Sequence, residues 1–146
     1  MVAFDGISTF SNQNTWLLSI YYDEGSSTNI SNYKGTSGTT ISFDDEYYII
    51  EYGTSGKNVE LKTISEYVKG KTINFEADIL TNGNPVAIRI IGDGDILISS
   101  TTSGQNGKFI IENFEIPSNL SNVYFRISGG NSNTSIKFKN MKIYVI

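Results

Sequence analysis

The stretch TINFEADIL, Thr72–Leu80, predicts the fold class of this chain. Its apolar residues Ile73, Phe75, Ala77 and Ile79 alternate with polar ones. Successive side chains of a strand point to opposite sides of a sheet, so this alternation indicates a strand with one face buried and the other in solvent. The stretch therefore predicts a sheet that covers a hydrophobic core on one side.

The last stretch, SIKFKNMKIYVI at positions 135–146, alternates as well but changes parity on the way. Its alternating apolar side chains fall on even numbers as far as Phe138 and on odd numbers from Met141. One extra residue reverses the face that later side chains occupy, because the side-chain period of a strand is two. We therefore predict a β-bulge near Lys139 or Asn140.

Clusters of Gly, Asn, Asp, Ser and Pro recur along the chain about every ten residues, the spacing typical of sandwiches and barrels. Strands are predicted between them at 16–22, 40–43, 46–52, 58–63, 72–80, 86–91, 96–100, 108–116, 123–128 and 135–146. About ten strands do not fit one flat open sheet. We predict an all-β fold, a two-sheet antiparallel β-sandwich.

The length of 146 residues predicts one domain, residues 1–146, because domains commonly hold 100 to 200 residues. Residues 1–45 are its least regular part. The segment from about 23 to 40 has only Ile30 and Tyr33 as apolar or aromatic residues, so we expect it to be a long surface loop.

The composition excludes several kinds of chemistry. There is no His and no Cys, which rules out Ser-His-Asp and Cys-His nucleophiles, zinc sites with thiolate or imidazole ligands, and disulfides. We expect no cofactor. Ser, Thr and Asn make up 46 of the 146 residues, so the surface is rich in hydroxyl and amide groups that suit neutral, hydrogen-bonding partners.

The charge argues against a nucleic-acid partner, because the net charge is −4 and nucleic-acid binding requires clustered Lys and Arg. The charge is also uneven. Residues 116–146 carry four basic and no acidic side chains, and the remaining 115 residues carry +7 − 15 = −8. We expect the fold to bring these two parts together.

The sequence contains no apolar stretch of 18 residues, so we expect no membrane insertion. The first ten residues include Asp5 and lack the basic start and apolar run of a signal peptide. These features fit a virion component, or a module cut from a larger protein of the extracellular surface. The sequence alone leaves both open.

The second two thirds of the chain, roughly residues 46–146, resembles the jelly-roll carbohydrate-binding modules and the wider galactose-binding-like domains. The resemblance lies in the order and parity of five stretches. They are YVKGKTINFEADI at 67–79, PVAIRII at 85–91, GKFIIENFEIP at 107–117, NVYFRISGG at 122–130 and SIKFKNMKIYVI at 135–146. The resemblance implies a jelly roll whose last strand lies between the strand around Tyr48 and strand 72–80.

In such a jelly roll, Lys137, Lys139 or Lys142 would lie beside Glu76 and Asp78 on one outward face. The opposite sheet would hold strands 58–63, 123–128, 86–91 and 96–100. In the family the outward face of that sheet is concave and often holds glycan. Its outward side chains, and so the candidate ligand-binding residues, are Arg89, Tyr124, Arg126, Glu60 and Lys62.

Two interpretations of this face remain open. A tyrosine ring flanked by arginines and a carboxylate suits sugar recognition, which uses aromatic faces and planar hydrogen-bonding groups. Alternatively, the arginines pair with Glu60 or other carboxylates and have a structural role. Loop aromatics, Tyr21, Tyr22 and Tyr33, are candidates for a second aromatic patch.

We predict no metal site. The family has an Asp before the Asn of its closing strand, often near a structural calcium, whereas this chain has Lys139, whose charge opposes a cation. For the run Asp44, Asp45 and Glu46, calcium binding and a solvated turn are the two interpretations; three carboxylates are fewer than the six to eight oxygens that calcium takes, which favours the turn.

We also expect no enzyme, because a glycosidase needs two carboxylates facing each other across a cleft. Glu76 and Asp78 would instead lie side by side on one strand. The predicted function is a non-catalytic carbohydrate-binding module of a surface or virion protein that binds glycan weakly. The alternative is an assembly or receptor-binding (adhesion) component of a viral tail fibre or cell-surface protein, with other subunits as partners and no glycan site.

Overall fold

Two antiparallel sheets stack face to face, as the alternating stretches predict. The structure is a computed structural model that describes residues 10–11, 16–36, 38–51, 57–61, 64–129 and 135–146. Its strands are β1 (Phe10–Ser11), β2 (Trp16–Asp23), β3 (Tyr33–Thr36), β4 (Thr40–Phe43), β5 (Tyr48–Glu51), β6 (Lys57–Leu61), β7 (Thr72–Leu80), β8 (Val86–Ile91), β9 (Leu97–Ser103), β10 (Gly107–Glu115), β11 (Tyr124–Gly129) and β12 (Ile136–Val145). One helical turn, α1 (Ser65–Val68), and two 3-10 turns, Asn29–Asn32 and Asp93–Asp95, connect them.

The last strand, β12, is the centre of the seven-stranded sheet. On one side it pairs with β7, which pairs with β10. On the other side it pairs first with β5, through Phe138 opposite Tyr48, and then with β2, through Ile143 opposite Tyr21. The predicted position of the closing strand, between the strand around Tyr48 and strand 72–80, is confirmed.

The second sheet has five strands in the order β3, β6, β11, β8 and β9. The four strands predicted for this sheet are all present, and β3 is added at the edge beside β6. This confirms an all-β sandwich with jelly-roll strand order. Each of the ten predicted strands overlaps an observed one, and the structure adds β1 and β3.

The core lies between the sheets and is formed by the alternating apolar side chains. On β7, Ile73, Phe75, Ala77 and Ile79 are all buried, as the alternation predicts. The ring of Phe75 meets that of Phe125 from β11 edge to face, with centroids 5.0 Å apart. This contact joins β7, an inner strand of the seven-stranded sheet, to β11, the middle strand of the other sheet.

The predicted bulge in β12 is confirmed. The pairing of β12 with β7 shifts register between Lys139 and Lys142, and Asn140 has a φ of 52°. Asn tolerates this left-handed conformation better than most residues. The Asn140 side-chain amide donates to Asp78 Oδ2 at 2.7 Å, which fixes the bulge against β7.

The expectation of a long surface loop from 23 to 40 is wrong. This segment contains the 3-10 turn and β3, and Tyr33 at the start of β3 is buried. The expected aromatic patch of loop tyrosines is also wrong for Tyr21 and Tyr33, because both rings lie in the core. The segment has few apolar residues, so its sequence showed no sign that it packs against the core. It does so through the buried side chains of Tyr33 and Asp23.

The buried carboxylate is Asp23, which is 2 % exposed. Its Oδ2 accepts hydrogen bonds from the hydroxyls of Tyr33 and Tyr48, both at 2.7 Å, and lies 3.1 Å from the hydroxyl of Tyr21. Its Oδ1 accepts the Gly25 backbone N–H at 2.9 Å and an Asn29 amide N–H at 3.1 Å. The Asp23 cluster, meaning Asp23 with Tyr21, Tyr33 and Tyr48, thus ties β3 of one sheet to β2 and β5 of the other.

Gly35 in β3 is expected to resist substitution. A Cβ added there would collide with the carbonyl oxygen of Thr39, which is backbone and has no flexible end to move. We expect Gly35→Ala to lower the free energy of unfolding by about 1–3 kcal/mol, the usual cost of overpacking. The matched control is Gly104→Ala, where the nearest atom lies 3.9 Å from the added Cβ. Urea denaturation of both variants tests this, and equal stability of the two would contradict it.

Candidate functional site

The outward face of the five-stranded sheet carries a row of polar side chains that crosses all five strands. The strand register places Lys34, Glu60, Arg126, Arg89 and Ser100 side by side, one from each strand. Residues opposite each other in antiparallel strands point to the same face. The row therefore brings together three of the five predicted site residues, Glu60, Arg126 and Arg89.

Tyr124 belongs to the same face, because it precedes Arg126 by two positions on β11. A cleft of about 400 Å³ opens beside it. The cleft is lined by Lys34, Thr36, Asn58, Glu60, Asp95, Tyr124 and Arg126. Arg89 lies next to Arg126 in the row. The fifth predicted residue, Lys62, lies outside the described residues.

Arg126 is held in place by two carboxylates. Its Nη2 lies 3.1 Å from Glu60 Oε1 and 3.3 Å from Asp95 Oδ1. The side chains of Arg126 and Glu60 are only 17 % and 9 % exposed, whereas Asp95 is 78 % exposed. The interpretation in which an arginine pairs with Glu60 is therefore correct for Arg126, and the pairing presents a rigid donor and acceptor at the floor of the cleft.

Arg89 does not follow that interpretation. It lies directly opposite Arg126 on the neighbouring strand, yet it makes no hydrogen bond or ion pair with any residue that the structure describes. Its Nε is buried without a described partner, as is Nε of Arg126. Like charges facing each other across two strands are unfavourable. Within the described residues, the site thus contains one paired and one unpaired guanidinium.

Sequence reasoning missed four lining residues: Lys34, Thr36, Asn58 and Asp95. Lys34 and Thr36 were missed because their strand, β3, was taken for a loop. Asp95 comes from the 3-10 turn between β8 and β9, and nothing in the sequence shows that this turn reaches Arg126. Asn58 shares its parity with Glu60 on a predicted strand, so the alternation rule had the means to find it.

The outward face of the seven-stranded sheet is also charged. The register places Lys139 opposite Asp78 and Lys142 opposite Glu76, so the predicted position of these lysines beside Glu76 and Asp78 is confirmed. Ion pairs between them, which this position suggests, are not the ones observed: the ion pair to Glu76 comes from Lys108 on β10, at 3.0 Å. Lys108 reaches the same face because β10 flanks β7 on the side away from β12.

The basic C-terminal strand, β12, forms ion pairs with the acidic run at 44–46, which precedes β5. Lys137 Nζ lies 3.0 Å from Asp44 Oδ2, and Lys139 Nζ lies 2.7 Å from Glu46 Oε2. The backbone N–H of Tyr47, together with Lys137, lowers the pKa of Asp44 to about 2. The expected meeting of the acidic and basic parts of the chain is confirmed, through Asp44 and Glu46 on this sheet and through Glu60 and Asp95 at Arg126 on the other.

Among the described residues, no group of three or more acidic side chains is arranged to hold a metal ion. No helix within the described ranges is long and apolar enough to cross a membrane.

Neither a family model nor a curated protein sequence matches the chain significantly. Solved structures do. The C-terminal family 22 carbohydrate-binding module of Clostridium thermocellum Xyn10B superposes with a TM-score of 0.67 at 12 % identity, covering 86 % of this chain and 92 % of that one. The family 29 module CBM29_1 of Piromyces equi gives 0.56 at 16 % identity and covers 88 % of each chain.

A third similar structure has a viral source. The enzymatically active domain of tailspike protein 4 from bacteriophage CBA120 gives a TM-score of 0.55 at 13 % identity, over 96 % of this chain and 22 % of that one. At these identities the matches define the fold. The chain has the jelly-roll sandwich fold of carbohydrate-binding modules.

Proposed function

We propose that this chain is a non-catalytic carbohydrate-binding module that binds glycan weakly on the outward face of its five-stranded sheet. The observation that carries the proposal is the cleft in which Tyr124 lies beside the Arg126–Glu60 pair, on a fold shared with carbohydrate-binding modules. The Xyn10B module likewise has a cleft whose conserved amino acids have a role in ligand binding.

The chemistry of the cleft suits a sugar. The ring of Tyr124 offers a flat apolar face for the C–H side of a pyranose. Around it, Asn58, Thr36 and Lys34 offer donors and acceptors for hydroxyl groups. Arg126 and Glu60 are fixed by their mutual bond, so their geometry costs little conformational entropy on binding. The cleft has one aromatic residue among those described, which agrees with weak binding.

We propose a non-catalytic module because the carboxylates near the cleft and on the other sheet are not placed as a glycosidase requires. Glu60 and Asp95 both bind the same Arg126 nitrogen, so they do not face each other across an open space. Glu76 and Asp78 lie on the other sheet, where Lys108 and Asn140 bind them. A glycosidase acid and its partner need opposed positions.

A glycan array of the full chain tests the proposal, with Tyr124→Ala as the probe variant. We expect binding of one or more glycans and a loss of about tenfold or more in Tyr124→Ala, because a stacking surface worth about 1.4 kcal/mol is removed. The matched control is Tyr144→Ala, which removes a half-buried tyrosine from the outward face of the other sheet. Equal loss in both variants, or no binding by the unmodified chain, would overturn the proposal.

Arg126 is less suitable as a single probe. Its removal leaves Glu60 buried without its partner, which costs about 3–5 kcal/mol of stability for a buried pair. The double variant Arg126→Gln with Glu60→Gln removes both charges together, so it tests binding without an unpaired carboxylate.

An assembly or receptor-binding (adhesion) role in a virion or surface protein is the second candidate, and a similar fold occurs in a bacteriophage tailspike protein. In that role the outward faces would contact other subunits. Light scattering separates the two candidates, because a stable oligomer with no glycan binding supports assembly. Both candidates place the protein at an extracellular surface or on a virion.

A further inference from the structure

We propose that the cleft selects glycans that carry an anionic group, a carboxylate or a sulfate ester, and that Arg89 makes this selection. The inference rests on the proposed function and names the class of glycan that the same face would bind.

The first argument is the balance of charge along the row. Lys34, Arg126 and Arg89 are basic, while the described carboxylates at the cleft are Glu60 and Asp95. Both carboxylates bind Arg126. Arg89 therefore lies beside a second guanidinium with no described counter-charge, in a chain whose net charge is −4. The three basic and two acidic side chains sum to +3 − 2 = +1, so an anion bound beside Arg89 would balance the charge of the row.

The second argument is hydrogen bonding. In the described part of the chain, the buried side-chain nitrogens and oxygens without a partner are Arg89 Nε, Arg126 Nε and Ser128 Oγ. All three belong to one face, because Arg89 is opposite Arg126 and Ser128 follows Arg126 by two positions. Buried polar groups are nearly always satisfied. Their concentration shows that the part of this face around the two arginines is short of acceptor oxygens.

The third argument is geometric fit. A guanidinium is a planar fork with five N–H donors, and it matches carboxylate and other oxyanions through two parallel hydrogen bonds. Arg89 comes from β8, next to Arg126 and on the side away from Lys34. A sugar stacked on Tyr124 would place its anionic substituent over β8, while its hydroxyls face the cleft.

The test uses pairs of glycans that differ only in charge. The full chain is titrated with polygalacturonate and glucuronoxylan, each beside its carboxyl-reduced counterpart, and with carrageenan beside its desulfated counterpart. We expect at least one acidic member to bind about tenfold or more tightly than its neutral counterpart, as for a charge-assisted hydrogen bond. A preference in the carboxylate pairs identifies a uronate, and one in the sulfate pair identifies a sulfate ester.

Arg89→Gln is the probe variant and should abolish the preference, so that the acidic and the neutral member of a pair bind equally. Lys142→Gln is the matched control, because it removes the same charge from the other sheet. We expect Arg89→Gln to fold as stably as the parent, since Arg89 has no described partner to lose. A clear loss of stability would show that Arg89 has a structural role and would overturn its assignment to ligand selection.

The remaining outcomes separate the two proposals. Equal binding of both members of every pair, or a preference that survives Arg89→Gln, overturns this inference and leaves the proposed function standing. No binding to any glycan overturns both.

Discussion

Replacing Asp23 by alanine is expected to lower the free energy of unfolding by about 4 kcal/mol. The variant leaves the hydroxyls of Tyr33 and Tyr48 buried without the acceptor that they share. Each hydrogen bond to a charged group contributes about 1.5–3 kcal/mol, so the loss of these two gives about 4 kcal/mol. Gly25 and Asn29 lose their acceptor as well, so the turn before β3 loosens with the cluster. Small domains are stable by only about 5–15 kcal/mol, so this loss is a large part of the total.

Chemical denaturation measures this effect, and the neighbouring residue provides the control. Glu24 is exposed and its side chain binds only the exposed hydroxyl of Tyr22 among the contacts of the described residues, so Glu24→Ala should cost less than about 1 kcal/mol. Asp23→Asn keeps one acceptor oxygen, so its loss in the free energy of unfolding should lie between those of the two alanine variants. Similar stability of Asp23→Ala and Glu24→Ala would show that the cluster does not hold the sheets together.

The second large effect is a loss of stability in alkali. Burial, followed by the charge of Asp23, raises the pKa of Tyr21 above its ordinary value. Burial and the hydrogen bond to Asp23 raise the pKa of Tyr48, and burial and the neighbouring Tyr21 raise that of Tyr33. All three side chains are at most 5 % exposed.

The sign follows from proton binding. Above about pH 10 the unfolded chain loses these phenolic protons while the folded chain keeps them. The contribution of these raised pKa values to the free energy of unfolding is therefore fully present below about pH 10, and it falls as the pH rises further. Each phenol contributes a slope of about 1.4 kcal/mol per pH unit, so three give about 4 kcal/mol per unit.

Urea denaturation at a series of pH values above 9 measures this slope, and tyrosinate absorbance shows when the phenols ionise. Tyr33→Phe should decline less steeply, because one of the three protons is gone. Ionisation of every tyrosine near pH 10 in a chain that stays folded would contradict the prediction.

Local alternation, together with the spacing of turn residues, predicted the sandwich and ten of the twelve strands in the described residues. In β7 and β12 the apolar positions follow the side-chain period, and even the bulge at Asn140 appears in the sequence as a change of parity. It failed for β3, because a strand of four residues with one buried tyrosine has too few positions to show a period. Tyr33 is buried through hydrogen bonds to residues of other strands, and these leave no local pattern.

The candidate site was predicted only in part for the same reason. Glu60, Arg89, Tyr124 and Arg126 share one face because their parity and the strand order put them there. The ion pairs of Arg126 with Glu60 and Asp95 depend on cross-strand register and on the turn at Asp95. The same register leaves Arg89 without a described partner.

The amino-acid sequence by itself determined the all-β class, the position of most strands, the bulge, and the absence of histidine and cysteine chemistry. These properties depend on residue type and on the two-residue period, which act within one strand. Only the tertiary structure decided which charges pair, how Asp23 joins the two sheets, and which arginine has no described partner. Such contacts join residues up to 93 positions apart, as Lys137 and Asp44 are, and their geometry is fixed when the sheets pack together.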